Sequence, residues 1–142
     1  MKASARNQFI GTVNKVIIGA VNAEVFITIK GGEILVAAIT NESVEALSLK
    51  EGIDVVALVK APQIIIVSDF GDFKVSARNQ LKSTITQIKP GAVNAEVIME
   101  LNGGDLIAAT VTNDSVETLG LSRGTAVTAI FKAGAVILAV KN

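Results

Sequence analysis

The sequence predicts an all-β chain with one short helix per copy, arranged as two tandem OB-like five-stranded barrels. Three observations carry that prediction. Val, Ile, Ala and Thr dominate the composition, while Trp, Tyr, His and Cys are absent; branched side chains pack better on a pleated surface than in a helix. The chain repeats itself, so that Ser4 recurs as Ser76 and Lys60 as Lys132 at one constant offset. Each copy shows five short apolar or alternating runs broken by turn residues, with a helix signal between the third and fourth.

The repeat needs no insertion, and about 30 of the 70 paired positions are identical. Ser4-Ala5-Arg6-Asn7-Gln8 returns as Ser76-Ala77-Arg78-Asn79-Gln80. Gly19-Ala20-Val21-Asn22-Ala23-Glu24-Val25 returns as Gly91-Ala92-Val93-Asn94-Ala95-Glu96-Val97. We read residues 1–68 as the first domain, 69–73 as the linker and 74–142 as the second domain. The junction Ser68-Asp69-Phe70-Gly71-Asp72 is polar and contains Gly.

In the first copy Phe9 to Ile18 reads as a strand and Ala23 to Ile29 as a second, with Gly31-Gly32 turning the chain into Ile34 to Ile39. Thr40 or Asn41 is placed to cap one or two helical turns over Ser43 to Leu47. Lys50-Glu51-Gly52 then turns into Val55 to Val59, and Ile64 to Val67 closes the set. A domain of about 70 residues buries little core, so help from a neighbouring copy or subunit is expected. The runs Val16-Ile17-Ile18 and Ile64-Ile65-Ile66-Val67 exceed what one face of an isolated barrel hides. They call either for oligomerisation or for burial on both faces within one compact unit.

Composition also excludes chemistry. Without Cys there are no disulfides or thiolates, and without His the commonest general base and the usual transition-metal ligand are missing. No direct ligand set for a metal cation is expected. No Ser/His/Asp set, P-loop or dinucleotide-binding glycine fingerprint occurs, so an enzyme is not expected. Thirteen basic and thirteen acidic residues cancel, leaving no basic field to recruit nucleic acid. No apolar run is long enough to span a bilayer, and the first seven residues lack a secretion signal's apolar core. A soluble cytoplasmic protein without membrane association is expected.

Two groups of residues could carry binding chemistry. Ser4, Ala5, Arg6 and Asn7, with Ser76, Ala77, Arg78 and Asn79, offer a hydroxyl, a guanidinium fork, an amide and consecutive backbone N–H groups. Lys60-Ala61 and Lys132-Ala133 add a cation between the fourth and fifth strands. Such donors suit a tetrahedral oxyanion, which presents only acceptors. Taken singly, each is also what an ordinary strand start or solvated surface charge looks like. Both clusters nevertheless persist in both copies while neighbours diverge, as Ile10 with Lys82 and Ile17 with Lys89. Gly19, Ala20, Val21 and Asn22, with Gly91, Ala92, Val93 and Asn94, read first as hairpins that need Gly and Asn. They could also line a second anion site, although Glu24 and Glu96 follow at once and would repel an anion unless aimed away. Glu42, Glu45, Asp114 and Glu117 read as a solvated helix face.

Through these motifs, together with Thr40-Asn41-Glu42-Ser43-Val44 and Leu58-Val59-Lys60-Ala61-Pro62, the chain resembles the molbindins, small molybdate-binding proteins built from Mop domains. Since both copies match, it is similar to a tandem (di-Mop) molbindin. The resemblance implies OB-like domains, a homotrimer, and molybdate or tungstate held between domains and subunits. It implies a role in cytoplasmic molybdate storage and homeostasis, with no organic cofactor. It also implies that Ser4, Arg6, Lys60 and Ala61, and Ser76, Arg78, Lys132 and Ala133, form one kind of site, with the Gly-Ala-Val-Asn turns contributing to a second. The second copy departs from the pattern at Gly134, where the first has Pro62, which predicts a looser Lys132 loop.

Two other functions compete. An OB-type single-stranded nucleic-acid-binding module needs stacking aromatics and a basic groove, whereas aromatics are 4% of residues and all are Phe. A sensor whose bound oxyanion alters contacts with a protein partner is compatible with the same residues.

Overall fold

The computed structural model describes all 142 residues. The first copy supplies β1 (Asn7–Ile18), β2 (Asn22–Ile29), β3 (Ile34–Thr40), α1 (Asn41–Ala46), β4 (Asp54–Val59) and β5 (Ile65–Val67). The second supplies β6 (Asn79–Pro90), β7 (Asn94–Leu101), β8 (Leu106–Thr112), α2 (Asn113–Thr118), β9 (Ala126–Phe131) and β10 (Ile137–Ala139). Every predicted strand and both helices are present. Sequence reading passed over two single 3₁₀ turns, Ala61–Gln63 and Ala133–Ala135, because three residues leave no periodicity to detect. No helix is long and apolar enough to cross a membrane.

Local chemistry explains the element ends. Thr40, rather than Asn41, is the N-cap of α1: its hydroxyl accepts the Ser43 N–H at 3.0 Å, as Thr112 accepts that of Ser115. Gly32 and Gly104 close the β2–β3 and β7–β8 hairpins at φ of 98° and 96°, a region costly for any residue with a Cβ. Along β1 the inward residues Asn7, Phe9, Gly11 and Val13 alternate with exposed ones. A register shift between Val13 and Lys15 then interrupts the alternation, and Ile17 and Ile18 emerge 48% and 59% exposed.

The two sheets do not follow the repeat boundaries. Their strand orders are β10-β4-β1-β2-β3 and β5-β9-β6-β7-β8, so each copy's last strand completes the sheet of the other copy. Ile65–Val67 pairs with Thr128–Ile130, and Ile137–Ala139 with Val56–Leu58, all antiparallel. The expectation that Ile64 to Val67 closes its own set is therefore corrected. The cause lies in the 3₁₀ turns: Ala61 and Ala133 are buried at the start of each turn, which packs against β8 or β3 of the other copy and delivers the chain across. From there the Ser68–Asp72 connector runs between two strands of one sheet, β5 and β6.

Exchange makes the interior common property. A single cluster of 28 buried residues draws on both copies, with Phe9, Val25 and Leu35 from one and Met99, Ile107 and Phe131 from the other. This is the help that a domain of this size requires. The β2–β3 and β7–β8 hairpins also clasp each other. Gly31 N–H donates to Asp105 Oδ2 at 2.7 Å, and Gly103 N–H donates to Glu33 Oε2 at 2.8 Å.

Candidate anion site

The ladder between β1 and β4 sets the geometry. Asn7 lies opposite Val59, so continuing the register by one residue places Arg6 opposite Lys60, with Ser4 and Ala61 just beyond. In the second copy Asn79 lies opposite Phe131, which places Arg78 opposite Lys132 in the same way. Residues more than fifty positions apart are thus gathered at one end of each sheet. Arg6, Lys60, Arg78 and Lys132 are all exposed there, and Ala61 and Ala133 are buried. The Ser-Ala-Arg segments are ordered by their own Gln residues: Gln8 donates to the Ala5 carbonyl at 3.3 Å, and Gln80 to the Ala77 carbonyl at 2.9 Å. Backbone partners are absent for the N–H groups of Ser4, Ala5 and Arg6 and of Ser76, Ala77 and Arg78.

Each arginine crosses to the other copy. Arg6 forks onto Glu96 of β7, with Nη1–Oε2 and Nη2–Oε1 both at 2.8 Å. Arg78 pairs with Glu24 of β2. Lys89 stands opposite Glu96 in the β6–β7 ladder, its Nζ 3.9 Å from Oε1. On the first copy's side Lys15 Nζ lies 4.5 Å from the centroid of the Phe26 ring, and the Arg78 guanidinium carbon lies 6.0 Å from it. The two glutamates, which from sequence counted only against an anion site, are therefore neutralised across the copies. The repeated Glu after each Gly-Ala-Val-Asn-Ala was visible, but nothing in the sequence says which arginine it meets.

The Asn7 and Asn79 side chains, expected from sequence to offer donors to an anion, are engaged elsewhere. Asn7 Nδ2 donates to the Ala108 carbonyl at 2.8 Å while its Oδ1 accepts the Ala108 N–H at 2.7 Å. Asn79 does the same with Val36, at 2.8 Å each way. Both residues are buried, and each amide imitates one rung of a β-ladder between copies. Their side-chain amides are committed to these bonds, which anchor the backbone next to each arginine.

The Gly-Ala-Val-Asn segments form tight turns, closed by Gly19 N–H to the Asn22 carbonyl at 2.9 Å and Gly91 N–H to the Asn94 carbonyl at 2.8 Å. A Cβ on Gly19 would stand 2.6 Å from the Asn22 carbonyl oxygen, which explains the Gly. Asn41 and Asn113, the first residues of the helices, each brace the turn beside them by donating to the Gly19 or Gly91 carbonyl at 2.9 Å. Val21 and Val93 project from the turns, each 71% exposed. Asn22 and Glu24 are two residues apart on one face of β2, about 7 Å along the strand, so this turn adjoins the Arg78–Glu24 pair.

The donors lie on open surface rather than in a cleft. A cavity of about 1240 Å³, lined by Ile10, Leu47, Ile53 and Val140 together with Lys30 and Asp54, includes none of them.

Comparison with known proteins gives the family. The TOBE domain matches residues 3–66 and again 75–138. The crystal structure of the cytoplasmic molybdate-binding protein ModG with molybdate bound superposes with a TM-score of 0.96 at 48% identity, covering 99% of this chain and 100% of that one. The molybdenum transport protein ModE of Herbaspirillum seropedicae is 40% identical over the whole of this chain and 53% of its own length. The molybdenum-pterin-binding protein MopA of Rhodobacter capsulatus is 39% identical over 99% of this chain and 53% of its own length. The chain thus spans about half the length of these two relatives. With both copies matched nearly end to end, the chain belongs to the TOBE-domain family, as two Mop-type domains in tandem.

Proposed function

We propose that this chain binds molybdate or tungstate as the free oxyanion, and that it stores and buffers it in the cytoplasm without chemical conversion. The observation that carries this is the end-to-end likeness to molybdate-bound ModG, in a chain that places an Arg opposite a Lys at both sheet ends. Molybdate is a dianion, so enclosing it takes opposing charge and several donors. Arg6, Lys60, the Ser4 hydroxyl and the adjacent N–H groups supply these, as do Arg78, Lys132 and Ser76 in the second copy. Each charge-assisted bond contributes about 1.5–3 kcal/mol, so four or five hold the anion after desolvation.

The working unit we propose is a homotrimer, supported by the apolar side chains that one chain leaves exposed. Ile17, Ile18, Ile65 and Ile137 are each between 48% and 61% exposed. The Gly-Ala-Val-Asn turns, with Val21 and Val93 at their tips, would line the second kind of site where subunits meet. Binding at such seams stabilises the assembly, by an amount that grows with the logarithm of ligand concentration above Kd. Arg6→Ala and Lys60→Ala are expected to weaken molybdate binding by at least tenfold at the first-copy sites while thermal denaturation shows a folded chain. Unchanged affinity in both variants would contradict the assignment.

The OB-type nucleic-acid reading is not favoured. Of the strand phenylalanines, Phe9 and Phe131 are 2% and 1% exposed, and Phe26 lies beneath Lys15, which leaves no row of free rings for bases to stack on.

A further inference from the structure

The arginines that would hold an oxyanion are already holding one, in the form of a carboxylate. Glu96 offers Arg6 two oxygens in one plane, each 2.8 Å from a different guanidinium nitrogen. One edge of a tetrahedral oxyanion offers the same fork two oxygens. Binding an anion at Arg6 is therefore an exchange of acceptors at a donor already aimed, and the displaced Glu96 must find other compensation. Arg78 is likewise occupied by Glu24, through one nitrogen and one carboxylate oxygen.

Compensation differs between the two ends. Lys89 lies in register opposite Glu96 and within 3.9 Å of it, so Glu96 keeps a cation when Arg6 turns away. The residue in register with Glu24 is Ile17, and Arg78 is the sole cation within ion-pair distance of Glu24. Lys15, two positions along, sits over Phe26 instead. The better-compensated carboxylate is also the less exposed, 17% against 35%.

Resting on the proposed oxyanion function, we propose that Glu24 and Glu96 stand in for the ligand in the unloaded protein, and that Lys89, as a positioning residue, receives Glu96 so that the Arg6 end loads first. The glutamates set affinity by competition, and the difference between Lys89 and Ile17 makes two sequence-related sites unequal.

The test is calorimetric titration of the full chain with sodium molybdate, using wild type, E24Q/E96Q, K89I and K89I/E96Q. Glutamine keeps the shape and removes the charge, so E24Q/E96Q is expected to bind about three- to fivefold more tightly, the strength of an exposed ion pair. Loss of fold cannot produce that gain. K89I is expected to weaken the tighter class of sites about two- to threefold, and to have no effect when Glu96 is already Gln. Equal or weaker binding by E24Q/E96Q overturns the stand-in role. A K89I effect of the same size in both backgrounds overturns the hand-over and reduces Lys89 to a general contribution to the field. If neither wild type nor E24Q/E96Q takes up molybdate, the function itself falls and this proposal with it. Uptake by wild type without a gain in E24Q/E96Q removes this proposal alone.

Discussion

Replacing Asn7 by Ala would leave the Ala108 N–H and C=O without partners at a residue only 7% exposed. Each buried, unsatisfied group costs about 1–3 kcal/mol, and water reaching the vacated space would recover part of it. The expected loss is about 2–4 kcal/mol, a large share of the stability of any domain of this size. Asn79→Ala should match it, because Val36 stands in the place of Ala108 with the same two bonds. Asn7→Asp is the sharper control. It keeps the shape and still accepts from the Ala108 N–H, but it turns a carboxylate oxygen toward the Ala108 carbonyl and buries a charge. It should therefore destabilise at neutral pH by at least as much as Ala. Urea denaturation with linear extrapolation measures all three. A cost below about 1 kcal/mol for Asn7→Ala, or an Asp variant as stable as wild type, would refute the inference that these amides pin the copies together.

Two other expectations follow from the fold. Ser48, just past the Leu47 C-cap of α1, has φ 52°, where the second copy has Gly120 at φ 63°; Ser48→Gly should raise stability by about 0.5–1 kcal/mol in thermal denaturation, and Gly120→Ser should lower it. The first copy alone, residues 1–68, lacks β10 and has no β9 for its own last strand to join. It is therefore expected to sediment as strand-exchanged dimers or multiples of them, and a stable folded monomer would contradict this.

What the sequence made legible and what it hid have one physical origin. Strands and turns are local, so alternation along Ala23 to Ile29, the Gly31-Gly32 turn and the Thr40 cap could be placed to within a residue or two. The constant repeat offset then confirmed each placement twice. Pairing between near-identical copies is degenerate, however. Ile65 and Ile137 are the same residue in equivalent strands, so either can complete either sheet, and no pattern within one copy says which. The same degeneracy hid the partners of Arg6 and Asn7, which lie 90 and 101 residues away. Arg6 and Lys60 were grouped through the resemblance alone, and the pairing of β1 with β4 that sets their backbone positions opposite each other came from the structure. The fork between Arg6 and Glu96 was not readable, because it depends on how the two copies are docked.

The most direct test of the central claim is native mass spectrometry of the purified chain titrated with molybdate, with sulfate at equal concentration as the comparison. The account predicts an assembly of three chains that takes up several molybdates and retains little sulfate. A chain that takes up neither anion, or both equally, would contradict it.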